Sequence, residues 1–165
     1  MSVVRNIEIR HAGAADAAAI AEVHLRSHRE TYVALVGEKN YWPADPMERL
    51  HQWQGLLAGE GVVFVAVEKG DVVGIAHSLG ARITTLYVLA SHHRCGIGRA
   101  LMKQLCRTLA GRGVATASLA VLTVNSPAIA FYKSLGAKEA GTITIEEGPL
   151  RYEDRLFEID TAALT

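Results

Sequence analysis

Apolar and polar residues alternate from Val3 to Arg10 (VVRNIEIR), the two-residue period of a half-buried strand. From Ala14 the period lengthens, and an Ala-rich segment sets Ile20, Val23 and Leu25 on one helical face. Residues 37–46 (GEKNYWPADP) hold two prolines and the Tyr41-Trp42 pair, a turn-rich loop long enough to carry function, and Met47 to Ala58 reads as a short helix ending at Gly59. Gly61 to Glu68 and Val72 to Leu79 are β-branched runs joined by the turn Lys69-Gly70-Asp71, and Arg82 to Leu89 extends them into a meander. Ile97 to Ala110 has the helical period and closes on Gly111-Arg112-Gly113, and Ala115 to Leu122 is again a strand. That strand–helix–strand run requires parallel pairing through a right-handed crossover. Ser126 is placed as an N-cap with Pro127 at the first helical position and Gly136 past the last turn; Thr142 to Ile145 and Tyr152 to Ile159 then form a hairpin. The order β-α-α-β-β-β-α-β-α-β-β, without repeats, predicts one mixed α/β domain over residues 1–165.

Composition narrows the function classes. Half of the 165 residues are apolar and 21% are charged, which excludes a disordered chain. Lys+Arg and Asp+Glu balance at 17 each, so the chain is not built to coat nucleic acid or an anionic membrane. Met1 to Arg10 has no long apolar run, and no window reaches the ~18 apolar residues of a membrane span. Cys95 and Cys106 form no CxxC pair and have no matching histidine spacing, so no metal site is indicated and a reducing, cytoplasmic setting is expected. The balance has a pattern: residues 72–138 contain eight Lys and Arg and no acid, while all the Asp and Glu lie outside that stretch.

The basic stretch contains Ser91-His92-His93-Arg94-Cys95-Gly96-Ile97-Gly98-Arg99-Ala100, two glycines at the junction of a strand and a helix. Such a turn lets a ligand approach the backbone, and its N–H groups with the helix N-terminus favour an anion, although the same spacing also serves an ordinary tight turn. A dinucleotide fingerprint needs Gly or Ala where Leu101 stands and an acid ~20 residues on; a Walker loop needs Gly-Lys-Ser/Thr. Neither is present. The pyrophosphate of a coenzyme A remains.

Leu86 to Leu101 resembles the strand-plus-pyrophosphate motif of the GNAT superfamily, the general-control-related N-acetyltransferases, usually written Gln/Arg-x-x-Gly-x-Gly/Ala; His93 stands at its first letter. Leu119-x-Val121-x-x-x-Asn125-x-x-Ala128-x-x-Phe131-Tyr132-x-x-x-Gly136 is similar to the second signature of that family, departing only at Ala137. The resemblance implies a mixed, mainly antiparallel seven-stranded sheet, splayed between strands 4 and 5 and flanked by about four helices, with acetyl-CoA as co-substrate in the opening. It assigns coenzyme contacts to the backbone of Leu86, Tyr87 and Val88, to the turn residues His93, Arg94, Cys95, Gly96, Ile97, Gly98 and Arg99, and to Asn125. Family members are often dimers, so a homodimer is allowed, and no nucleic acid or membrane partner is implied.

Acetyl transfer to an amine needs a neutral nucleophile, a polarised carbonyl and a proton for the departing thiolate. The resemblance makes Tyr132 the acid, since a phenol with a reference pKa near ~10 is protonated at neutral pH. Many family members carry a base Glu on the fourth strand, where this chain has Ile83-Thr84-Thr85. The base candidates are therefore His77, then Glu22, His24, His28 or Glu30 on the first helix, then Glu146 or Glu147, or a water chain. His28, Tyr32 and Trp42 fall where the superfamily builds its acceptor wall, with Trp42 and Trp53 alternatively anchoring the loop on the core. The acidic remainder of the chain would suit a cationic amine there. The expected activity is direct acetyl transfer to a primary amine, either a small molecule or a protein N-terminus or lysine. Two alternatives stand beside it: a non-catalytic acyl-CoA sensor or interaction module, and a transferase of another acyl group.

Overall fold

The computed structural model describes residues 5–164, with every side chain among them except that of Glu147. The first strand is β1 (Ile7–His11), shorter than the alternation suggests; Val3 and Val4 lie outside the described residues. There follow α1 (Ala17–Val36), α2 (Pro46–Ala58), β2 (Val62–Glu68), β3 (Asp71–Leu79), β4 (Arg82–Val88), α3 (Ile97–Gly111), β5 (Thr116–Leu122), α4 (Ser126–Ser134), β6 (Lys138–Glu147) and β7 (Leu150–Asp160). The closing hairpin is longer than its β-branched centre predicts.

The seven strands form one sheet in the order β1-β2-β3-β4-β5-β7-β6. All neighbours are antiparallel except β4 and β5, which run parallel and pair at Arg82 with Ser118. Past that point the two strands diverge, and the sheet opens as a V. The splayed, mainly antiparallel sheet and the four helices agree with the expected architecture.

Both faces of the central sheet are covered, which is why β2 is buried from Val62 to Val67 instead of alternating. Val63, Val65 and Val67 pack with Ile75 against Ile20, Val23 and Trp53 of α1 and α2. Val62, Phe64 and Ala66 pack on the opposite side against Leu101, Met102 and Leu105 of α3. The buried stripe of α1 is Ala17, Ile20, Ala21, Val23, His24, Ser27 and His28. Leu25 lies off it, because the 3.6-residue period carries the stripe from Ile20 through positions 24 and 27–28, and those positions are polar. Polar side chains thus continue the core face of α1 toward β4.

Two local details differ from expectation. Asn125, not Ser126, caps α4: its side-chain carbonyl accepts from the Ala128 N–H at 3.2 Å, which places Pro127 one position deeper in the first turn. Strand β4 contains a bulge, since His77 pairs with Thr85 and Ser78 with Ile83, leaving Thr84 without a cross-strand partner.

Candidate active site

The gap between β4 and β5 is a cavity of about 120 Å³. Residues 83–87 of β4 form one wall and Leu119 to Leu122 of β5 the other; Asn125, Ala128 and Tyr132 close it from α4, and Thr31 and Tyr32 from α1. Divergence of the strands leaves part of the β4 backbone without a neighbour on that side, a sheet edge able to hydrogen-bond an extended ligand as an added strand would.

The glycine turn stands just beyond the end of β4. Arg94 and Gly96 are both left-handed, with φ of 60° and 77°, a conformation rare for a side-chain-bearing residue such as arginine. Left-handed residues within a turn fold successive N–H groups into an anion-binding concavity, and the first N–H groups of α3 have no intrahelical partners by the geometry of any helix. The side chains of Arg94 and Arg99 are exposed beside it. His93 Nε2–H donates to the Val88 carbonyl at 2.8 Å, so this ring ties the turn to β4. Gly98 allows the first turn of α3 to meet α4: a Cβ there would lie 3.3 Å from Phe131 Cζ. The two sequence motifs, far apart along the chain, therefore border one opening.

Tyr132 lines the gap, and burial pushes its phenol well above the ordinary value, so it stays protonated at neutral pH. Asn125 also lines the gap, but its side-chain oxygen is engaged in capping α4.

A second cavity, of about 340 Å³, lies on the α1 and α2 side of β4. Thr84, Thr85 and Tyr87 belong to both cavities, so the strand with the bulge separates and joins them. Because Thr84 is the extra residue of the bulge, its hydroxyl comes to the same side as that of Thr85, 3.4 Å away. Thr84 Oγ1 also hydrogen-bonds His77 Nδ1. His77 is 2% exposed and its Nε2 has no partner; a Cβ on Gly61 would sit 2.5 Å from that nitrogen. His77 thus meets Thr84, which lines both cavities, and burial lowers its pKa.

His24 and His28 line the second cavity as well. Trp53 Nε1–H donates to His24 Nδ1 at 3.0 Å, and the His28 ring stacks on Tyr32 with centroids 4.1 Å apart. Burial, helped by the nearby Arg49 charge, lowers His24 to about 3 and His28 to about 4, so both are neutral at pH 7.

Other predicted residues lie elsewhere. Glu30 is exposed, paired with Arg26 at 3.1 Å and accepting from the Ala90 N–H at 3.3 Å, and it lines neither cavity. Trp42 is half exposed and its indole sits against Gly148 in the turn between β6 and β7, away from both cavities. Glu22 and Glu146 are exposed, and the Glu147 side chain lies outside the described residues. Among the described residues no Asp or Glu lines either cavity. On α1 the acids Glu22 and Glu30 occupy exposed positions while His24 and His28 are buried. Thr84, Thr85, Arg49 and Gln52 were not singled out from sequence as contributors to the site; only the missing fourth-strand Glu pointed toward Thr84.

A sequence model described as the Acetyltransferase (GNAT) family matches residues 19–137. The chain is 27% identical over 151 residues to a phosphinothricin N-acetyltransferase of Streptomyces viridochromogenes, covering 84% of this chain and 78% of that protein. It is 45% identical over 86 residues to the [ribosomal protein bS18]-alanine N-acetyltransferase of Escherichia coli K12, a match that spans 52% of this chain and 51% of that one. The fold superposes with a TM-score of 0.74 on the yncA protein of Salmonella typhimurium, solved with its cofactor acetyl-CoA, at 21% identity and 94% coverage of each chain.

Proposed function

Because the chain belongs to the acetyltransferase (GNAT) family and is an acyltransferase, we propose that it transfers the acetyl group of acetyl-CoA directly to a primary amine in a ternary complex. The observation that carries this reading is the opening between β4 and β5, with the open edge of β4 and Tyr132 lining it and the left-handed turn before α3 just beyond the end of β4. These parts fit the co-substrate: a concavity of N–H groups with exposed arginines suits a pyrophosphate, and a free strand edge suits an amide-bearing arm. When bound, acetyl-CoA supplies an acyl thioester and a thiol leaving group.

The chain's residues then have three tasks. The β4 edge and the turn hold the thioester arm in the gap. The Thr84 hydroxyl receives the proton that leaves the amine nitrogen as the new C–N bond forms while it passes its own proton to Nδ1 of neutral His77, which later releases it to solvent. Tyr132 gives its proton to sulfur as the C–S bond breaks and the electron pair stays with sulfur, and solvent restores the phenol. The sum is one amide and one thiol, with a proton moved from nitrogen to sulfur. Glu30 has no part in this path because it lies outside both cavities.

Tyr132→Phe tests the assignment. Thiol release measured with any accepted amine should fall by about 10²-fold or more, the contribution of a placed acid, while acetyl-CoA affinity by calorimetry is kept. Unchanged turnover would remove Tyr132 from the mechanism. Tight acetyl-CoA binding with no thiol release across amines, peptides and aminoglycosides would favour a sensor, a reading motivated by the absence of a lining carboxylate among the described residues.

A further inference from the structure

We propose that the amine accepted by this protein also carries an anionic group, with the carboxylate of a free amino acid as the fitting case, and that Arg49 binds that group in the cavity between α1, α2 and β4. The inference rests on the acyl-transfer reading above and specifies its acceptor.

Among the described residues lining this cavity, Arg49 is the one with a permanent charge, because the three histidines around it are neutral at pH 7 and no carboxylate is among them. Among the described residues it makes no ion pair. Asp45, four residues earlier, caps α2, its Oδ1 accepting from the Met47 and Glu48 N–H groups. Arg49 Nη1 donates to Gln52 Oε1 at 2.8 Å, which fixes the plane of the guanidinium. Its Nε is buried and has no partner. With Nη1 engaged, the Nε–Nη2 edge remains, a pair of parallel N–H groups whose spacing matches the two oxygens of a carboxylate.

An unpaired cation beside a buried, unsatisfied N–H is unfavourable for the empty protein and is relieved by an anion with two coplanar oxygens. His28 Nδ1 is a second buried polar atom of a cavity-lining residue without a partner, and His28 is 7% exposed. The cavity, about 340 Å³, is at the small end of ligand sites, the size of an amino acid or a close relative. It meets the β4–β5 gap at Thr84, Thr85 and Tyr87, so an anion at Arg49 leaves the amine of the same small molecule to approach the bulge of β4. A peptide N-terminus differs in this respect, since the carboxyl of its first residue is an uncharged amide.

The test compares the twenty L-amino acids, each with its primary amide and its decarboxylated amine, in thiol release with acetyl-CoA. Among pairs that react, the acid should have the lower KM, and Arg49→Gln should raise that KM by about 100-fold, the loss of a charge-assisted pair, with kcat changed only a few-fold and acetyl-CoA affinity kept. Arg49→Lys, which keeps the charge but not the planar edge, should fall between. Amides or decarboxylated amines used as well as the acids, or an acid preference that survives Arg49→Gln, would overturn the proposal.

A second readout does not depend on turnover. In a Trp42→Phe background, Trp53 in the cavity is the sole tryptophan, and N-acetyl-L-amino acids should quench it while their amides do not. Arg49→Gln should weaken that binding by about tenfold or more. No carboxylate-dependent quenching overturns the anion site. Quenching by carboxylates in a protein that neither binds acetyl-CoA nor releases thiol would instead overturn the acyltransfer reading and leave the anion site standing.

Discussion

Lowering the pH from 7.5 to 5 should remove a large part of the folding stability, through two histidines. Trp53 Nε1–H can only donate, so His24 Nδ1 must accept and the folded state requires the neutral ring. Protonation would place a second donor against the indole. His24 has a folded pKa of about 3 and His28 of about 4, against 6.5 when exposed in the unfolded chain. The unfolded state therefore binds more protons throughout the window from 6.5 down to the folded values, and stability is present above pH 6.5 and lost as pH falls. At pH 5 each residue contributes about 2 kcal/mol of that loss, from 1.36 kcal/mol per unit over 1.5 units, or about 4 kcal/mol together. A typical domain has about 5–15 kcal/mol in all. Carboxylates add little here, because they remain mostly ionised at pH 5. Urea unfolding at the two pH values is the assay: with an m-value of about 2 kcal/mol/M the midpoint should drop by about 2 M. In the His24→Gln/His28→Gln double variant the midpoint should change clearly less than in the wild type, whatever its absolute stability at pH 7.5, with buried His77 supplying the remaining histidine response. A wild-type midpoint that does not move, or a double variant that keeps the same pH response, would refute the buried-neutral reading.

Gly61→Ala would put a Cβ 2.5 Å from His77 Nε2 and 2.9 Å from the Ser78 carbonyl, a backbone atom that cannot easily yield. Destabilisation of about 1–3 kcal/mol in urea unfolding, with slower turnover as His77 is pushed, is expected; a neutral substitution would show that the strand can separate there. Thiol titration should find one reactive cysteine in the native protein and two after denaturation. Cys95 is exposed, whereas Cys106 is fully buried with its thiol pushed up to about 11. Thr84→Val should lower turnover and leave acetyl-CoA affinity intact, as it cuts His77 from the gap; equal turnover would assign the proton to water.

The chain by itself determined its elements and one end of its site, because those are written in local terms. Periodicity marks the strands and helices; Gly96 and Gly98 mark a turn that needs a left-handed residue and a close helix contact; and Phe131 and Tyr132 share a helix that Asn125 caps and whose start is announced by proline. Even the misplaced cap, Ser126 for Asn125, is an error of one residue within a correct helix start.

The acceptor side was decided only by the tertiary structure. His24, His28, Arg49, Trp53 and His77 come from two helices and a strand, and what they share is the direction each faces once those elements have packed. Sequence spacing has no term for that direction between elements. The bulge in β4 is equally non-local, since it arises from register with β3, yet it turns Thr84 toward His77 and opens the strand to both cavities. Charge shows the same division. The acids missing from residues 72–138 could be counted from the letters, but which of the α1 candidates is buried could not: Glu22 and Glu30 occupy exposed positions while His24 and His28 are buried. A helix buries whatever lies on its packed stripe, and on α1 that stripe continues through two histidines, next to which the packing of α2 sets an arginine.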